Sequence, residues 1–100
     1  MSAAAAGRAR RHPDSALASI TSVRIRPAHE ARLLELSERS ALVEAALSLA
    51  PERVVVLELR VRQRLVEVRG RVVRGYVAGL GSDGEVRYRG MLSFDERLEI

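Results

Sequence analysis

Strict alternation of inward and outward positions in the second half of this 100-residue chain is the feature that most limits its fold. Residues 53–62 place Val55, Leu57, Leu59 and Val61 on one face, opposite Val56, Glu58, Arg60 and Arg62. A period of two residues is the signature of a β-strand with one wet face. Residues 66–73 and 86–94 repeat the pattern, which predicts at least three antiparallel strands.

The two later strands carry glycines at inward positions. One face of the first holds Val66, Val68, Gly70 and Val72, and one face of the second holds Val86, Tyr88, Gly90, Leu92 and Phe94. Glycine inside a strand predicts a β-bulge or sharp curvature, as a small closed barrel needs. Between these strands, residues 75–84 are rich in glycine and contain Asp83-Gly84, a strong hairpin signal. The segment formally fits GxGxxG, but it joins two antiparallel strands and predicts a hairpin loop rather than a phosphate-binding turn.

The first half is ambiguous. Residues 20–26 alternate as a short strand and residues 27–30 read as a turn, but residues 31–50 fit two structures. One is an amphipathic helix, which the local abundance of Ala, Leu and Glu slightly favours. The other is two strands around a polar corner at residues 37–40, with Leu34 and Leu36 inward before it and alternation after it. The helix would pack on a four-stranded sheet, whereas two more strands would make six and allow closure without exposed edges.

Composition limits the chemistry. The chain has no cysteine, and its two histidines, His12 and His29, cannot form a metal cage alone, so we expect no metal and no cofactor. No catalytic constellation is present, so we expect a protein that is not an enzyme. The apolar runs are too short to cross a bilayer, and MSAAAAGRARRH lacks the apolar core of a secretory signal, which predicts a cytoplasmic protein without membrane insertion.

The charge favours an anionic partner without naming it. All 17 basic residues are Arg and the net charge is +4, and guanidinium suits planar recognition of phosphate and guanine. Aromatic residues are scarce, with only Tyr76, Tyr88 and Phe94, and the last two share a strand face with core residues. A nucleic-acid platform needs exposed rings for stacking, so we expect only weak, salt-sensitive nucleic-acid binding.

The order of short motifs resembles the PilZ domain, a bacterial receptor module for cyclic di-GMP. The family has an RxxxR motif, a strand, a (D/N)xSxxG corner, and further strands. This chain offers RRHPD at residues 10–14, VRIR at 23–26, LELSERSALV at 34–43, RVVVLELRV at 53–61, VEVRGRVVR at 66–74 and RYRGMLSF at 87–94. Each motif is weak alone, but their order and spacing cover nearly the whole chain.

This resemblance implies an all-β fold: a six-stranded antiparallel PilZ-like barrel in which residues 33–36 and 41–49 are strands. Residues 1–16 would be a disordered, Arg-rich arm, residues 17–95 the barrel, and residues 96–100 a tail with little or no helix. The implied function is a signalling receptor or adaptor for cyclic di-GMP that acts on a protein effector. The alternative is a PilZ-derived protein-interaction module that has lost the ligand. A nucleic-acid-binding barrel is a third, weaker candidate.

Carried over by resemblance, the five ligand-binding residues are Arg10, Arg11, Glu35, Ser37 and Ser40. Arg11, like Arg8, could partly replace a missing arginine on a flexible arm. Only Arg10 and Ser37 match the family pattern outright. Asp14 stands where the second Arg belongs, Glu35 replaces Asp or Asn, and Ser40 replaces Gly. A lost charge-assisted contact costs roughly 1.5–3 kcal/mol, and Ser40 would add about 1 kcal/mol if the corner needs a left-handed backbone. The sequence therefore predicts a weakened site.

Overall fold

The computed structural model describes residues 19–99, and these form six strands and no helix. The strands are β1 (Ile20–Ile25), β2 (His29–Leu36), β3 (Ser40–Ala45), β4 (Val54–Val61), β5 (Arg64–Leu80) and β6 (Val86–Phe94). They close into a barrel in the order β1-β2-β3-β6-β5-β4, with every neighbouring pair antiparallel. The predicted all-β, six-stranded antiparallel barrel is confirmed. The predicted arm at residues 1–16 lies outside the described residues.

The ambiguous first half forms strands, and the helix interpretation is wrong. β3 pairs with β2 on one side and with β6 on the other, so its backbone groups find partners in the closed sheet. This pairing outweighs the local preference of Ala and Leu for helix. The predicted second strand is shorter than expected: it ends at Ala45, and residues 46–49 form a loop. The predicted turn at 27–30 is also too long, because His29 and Glu30 already belong to β2.

The core follows the alternation that the sequence shows. The buried cluster takes its members from all six strands and from two segments outside them. Leu49, in the loop between β3 and β4, is 3% exposed, and Leu98, beyond β6, is 4% exposed. No helix follows β6 among the described residues, as predicted, but the predicted tail contributes Leu98 to the core.

The strand glycines mark close approaches rather than bulges. The bulges of β5 fall between Val72 and Arg74 and between Val77 and Gly79, not at Gly70, and the register around Gly90 is regular. A Cβ added at Gly70 would lie 2.8 Å from the Ser93 carbonyl oxygen, and one at Gly90 would lie 3.0 Å from Leu49 side-chain atoms. A side chain at position 70 would collide with backbone, and one at position 90 would force the Leu49 side chain to shift.

The β5–β6 hairpin is longer than predicted. β5 continues through the glycine-rich stretch to Leu80, so the turn is confined to residues 81–85. Gly84 occupies the left-handed region with φ +84°, which explains the Asp83-Gly84 signal. The Asp83 carboxylate accepts hydrogen bonds from the Glu85 N–H at 3.0 Å and from the Arg87 guanidinium at 2.9 Å.

These two donors make the hairpin turn sensitive to acid. The Glu85 N–H, and then the Arg87 guanidinium, lower the pKa of Asp83 below its ordinary value. A lowered folded-state pKa means that the contribution of this carboxylate to stability is present above about pH 4 and is lost as the pH falls through the folded-state pKa. In an NMR titration that follows the chemical shift of the Asp83 carboxyl carbon, we expect a midpoint below the ordinary aspartate pKa of about 3.9. Arg87→Ala should raise this midpoint. A wild-type midpoint at or above the ordinary value would contradict this account of the turn.

Candidate functional site

The structure brings together three of the five residues predicted to bind ligand. Glu35 is near the end of β2, Ser37 begins the turn that follows, and Ser40 is the first residue of β3. Arg10 and Arg11 lie outside the described residues, as do Arg8 and Asp14. The polar corner that the sequence predicted at residues 37–40 is therefore a tight β2–β3 turn at one end of the barrel.

The Ser37 side chain builds this turn. Its Oγ accepts hydrogen bonds from the N–H groups of Ser40, at 3.0 Å, and Arg39, at 3.2 Å, and it lies 2.8 Å from the Ser40 Oγ. The Ser37 N–H donates to the Ser40 carbonyl at 2.8 Å. Serine hydroxyls commonly close turns in this way. Because a hydroxyl has one proton and two lone pairs, Ser37 has little capacity left for a ligand.

The end of β6 and the segment that follows it hold the turn in place. The Phe94 N–H donates to the Arg39 carbonyl at 2.8 Å, and the Leu98 N–H donates to the Glu38 carbonyl at 2.6 Å. The Arg97 guanidinium forms an ion pair with the Glu38 carboxylate at 3.0 Å. Glu38 is therefore engaged, whereas the exposed Arg39 guanidinium has no side-chain partner among residues 19–99.

Ser40 has no left-handed backbone. Among the described residues other than glycine, positive φ occurs at Glu52 and Arg62 alone. The free-energy cost predicted for serine in place of glycine at position 40 depended on a left-handed backbone there. Because Ser40 does not have that conformation, the cost does not arise. The Ser40 hydroxyl instead supports the turn through its contact with Ser37.

Strand register extends the corner into a wider surface. On the outer face of the barrel Ser40 is paired with Ser93 of β6, and Ser93 is paired with Arg71 of β5. One step further from the turn, Glu35 is paired with Leu42, and Leu42 with Met91. We call this surface the corner face, defined by Glu35, Ser40, Leu42, Arg71, Met91 and Ser93. With neighbouring strands about 4.8 Å apart, the Ser40 and Arg71 backbones are separated by roughly 10 Å.

The chemistry of the corner face suits an anionic, partly aromatic ligand. Arg71 is 60% exposed and faces Glu52 at 3.8 Å, a long contact between two exposed side chains that holds it only weakly. Leu42 and Met91 are half-buried and provide an apolar floor. A guanidinium at one side, a carboxylate at the other and two hydroxyls between them match the donors and acceptors of a guanine nucleotide.

Arg71 is not among the residues that the sequence predicts to bind ligand. The alternation in residues 66–73 correctly predicts that Arg71 points outward. Only the pairing of β5 with β6 and of β6 with β3 brings it into line with Ser40. The sequence carries no direct signal of that register.

The chain enters the barrel at the same end as the corner. Because all neighbouring strands are antiparallel, the start of β1, the end of β2 and the start of β3 lie at one end of the barrel. The Ser19 carbonyl accepts from the Arg62 N–H at 3.1 Å at that end.

A groove of about 810 Å³, separate from the corner face, lies between β2, β3 and the β5–β6 hairpin and is lined in part by Arg32, Arg87 and Arg89. Its two hairpin arginines are already paired: Arg89 contacts Glu44 at 3.0 Å and Arg87 contacts Asp83 at 2.9 Å. The Glu44 carboxylate, and then Tyr76, raise the pKa of Arg89. An anion binding to Arg87 or Arg89 would compete with these acids, whereas Arg71 on the corner face has only the long contact with Glu52.

Residues 19–99 contain no group of His, Asp and Glu side chains able to hold a metal ion, and no helix long and apolar enough to cross a membrane. No family model, no curated protein and no solved structure matches this chain. The resemblance to PilZ domains therefore rests on the motifs in the sequence.

Proposed function

We propose that this protein is a cytoplasmic, non-enzymatic PilZ-like adaptor that binds cyclic di-GMP weakly on the corner face. The observation that carries the proposal is that the start of the described chain and the corner face lie at the same end of the barrel. The described chain begins at Ser19, at the end of the barrel that also holds the β2–β3 turn, and Ser40, Ser93 and Arg71 lie in one row beside that turn. Arginines from two directions can thus converge on one anionic ligand.

Each part of the ligand has a partner of suitable chemistry. Guanidinium groups of Arg10, Arg11 and Arg71 donate to the phosphodiester oxygens, for which their forked geometry is suited. The Glu35 carboxylate accepts from guanine N–H donors, and the base lies over Leu42 and Met91. Ser40 and Ser93 supply hydroxyls between these groups, while Ser37 supports the turn rather than the ligand.

Asp14 accounts for the expected weakness. It places a carboxylate where the PilZ motif has a second arginine, so a phosphate contact is lost and a repulsion is added. One charge-assisted contact is worth roughly 1.5–3 kcal/mol, which is about ten- to a hundredfold in affinity. We therefore expect a Kd on the order of tens of micromolar or weaker.

Calorimetric titration of the wild type and three variants with cyclic di-GMP tests this function. Asp14→Arg should tighten binding by about ten- to a hundredfold, and Arg71→Ala should weaken it by about tenfold. Arg60→Ala is the matched control, because Arg60 is an exposed strand arginine on β4, away from the corner face. Ser40→Gly should bring no gain in affinity, since its backbone is not left-handed.

Two results would contradict the proposal. Absence of binding by both the wild type and Asp14→Arg would mean that the site is lost. An equal loss from Arg60→Ala and Arg71→Ala would mean that general positive charge, rather than the corner face, attracts the ligand.

The second candidate function is a PilZ-derived protein-interaction module without a nucleotide. The exposed apolar side chains of the β5–β6 hairpin, Val77 at 63% and Leu80 at 73%, favour a protein contact. A wild type that does not bind cyclic di-GMP, but loses binding of a protein effector on mutation of this hairpin, would establish the alternative.

A further inference from the structure

The β5–β6 hairpin carries an unpaired strand edge. β5 pairs with β4 as far as Arg71, and Val72 exchanges hydrogen bonds with Glu52 and Arg53 at 2.8 Å. From Val73 to Leu80, β5 pairs with β6 on one side, and no described residue pairs with its other side. An edge of this kind offers N–H and C=O groups to an added strand.

This edge lacks most of the features that block pairing. Between Val73 and Leu80 there is no Lys and no Pro, and Arg74 is the only charged residue. The bulges at Val73 and Ala78 leave a regular segment between them. The apolar side chains are well exposed, with Val73 at 59%, Val77 at 63% and Leu80 at 73%. Val77 and Leu80 are paired with Tyr88 and Val86, so they extend the inward face of the barrel past its open end.

We propose that the occupant of this edge is the same edge of a second copy, joined by antiparallel pairing about a two-fold axis. Such an interface is self-complementary. The apolar strip formed by Val77 and Leu80 would continue into its counterpart, because side chains on one face of neighbouring strands lie about 5 Å apart.

Charge supports an antiparallel arrangement of the two hairpins. Arg74 lies near the base of the hairpin and Glu85 lies at its tip; both are exposed and neither has an ion-pair partner among the described residues. Arg74 belongs to the outer face, since it is paired with Met91, opposite in face to the buried Leu92. Glu85 directly precedes Val86, which is paired with Leu80 on the inward face, so alternation places Glu85 on the outer side as well. Antiparallel pairing brings the acidic tip of each copy beside the basic base of the other, whereas parallel pairing would place like charges together.

The dimer should be concentration-dependent. One strand edge with its flanking side chains is smaller than the roughly 800 Å² per partner of a standard stable interface. We therefore expect association in the micromolar range rather than a permanent dimer. Sedimentation velocity on the full chain, from about 1 to 200 µM, should show a shift from the 11.0 kDa monomer to a species of twice that mass. A monomer throughout this range would overturn the proposal.

A charge exchange tests the geometry. Glu85→Arg alone and Arg74→Glu alone should each weaken self-association at least tenfold, because each places two like-charged pairs in the interface. An equimolar mixture of the two variants should restore it, because the mixed dimer regains two opposite-charge pairs. Glu96→Arg and Arg64→Glu are the matched controls, being exposed residues outside the hairpin edge with the same charge changes, and should associate as the wild type does. Failure of the mixture to recover would contradict antiparallel pairing at this edge.

Amide hydrogen exchange identifies the occupant. Residues 73–80 should be protected at high protein concentration and should exchange quickly in dilute solution. Protection that does not change with concentration would assign the edge to another part of the same chain and overturn the second-copy proposal. No nucleotide enters these experiments, so their outcome is independent of cyclic di-GMP binding.

Discussion

Replacing Gly75 by alanine is expected to lower the free energy of unfolding by about 3 kcal/mol or more. Gly75 of β5 is paired with Gly90 of β6, and Leu49 packs closely against both glycines. A Cβ on Gly75 would lie 1.8 Å from the Leu49 carbonyl oxygen. That neighbour is backbone, which cannot rotate away, so either the loop or the strand must move.

Chemical denaturation followed by far-UV circular dichroism measures the effect. Gly81→Ala is the matched control, because the added Cβ there would meet the end of the Arg87 side chain at 2.7 Å, and a flexible side chain can shift. We expect the control to change stability by less than about 1 kcal/mol. Equal effects from the two substitutions would contradict the close packing of Leu49 against Gly75.

Replacing Leu98 by alanine is expected to destabilise the barrel by about 2–5 kcal/mol. Leu98 is 4% exposed and belongs to the hydrophobic core, although it lies beyond the last strand. Its N–H also ties the C-terminal segment to the Glu38 carbonyl in the β2–β3 turn. Truncating the side chain leaves a cavity at the corner end of the barrel and loosens the turn from behind.

Leu65→Ala provides the comparison, since Leu65 is 52% exposed on β5 and its truncation should cost less than about 1 kcal/mol. The same denaturation experiment serves both variants. If Leu98→Ala were as stable as Leu65→Ala, the C-terminal segment would not close the core in solution.

The sequence predicts the strands of the barrel better than the segments that cover the ends of the barrel. Alternation in residues 53–62 marks Val55, Leu57, Leu59 and Val61 as inward, and all four are buried. For residues 31–50, local helix propensity favours a helix, whereas closure of the barrel requires two strands. Strand pairing decides the outcome because it satisfies backbone groups on both sides of β3. Local composition cannot report such long-range pairing.

The errors have one common cause. The alternation continues through Leu47 and Leu49, but it records burial rather than hydrogen bonding, so a loop that buries Leu49 reads as strand. The glycines at 70 and 90 predicted bulges or sharp curvature; no bulge lies at either position, and a side chain there would meet groups remote in the sequence. Leu98 was predicted to lie in a tail because no neighbouring residue in the sequence indicates that its side chain completes the core at the end of the barrel. Arg71 joins the corner face only through the register of three strands.

The most direct test of the central claim is an NMR titration of the full-length, ¹⁵N-labelled protein with cyclic di-GMP at ligand concentrations well above the expected Kd. We predict saturable shifts of the amides of Glu35, Ser40, Arg71 and Ser93, together with those of Arg10 and Arg11. Resonances of the groove residues Arg32, Arg87 and Arg89 should stay in place. A corner face that remains unchanged at saturating ligand, or shifts confined to the groove, would contradict the proposed site.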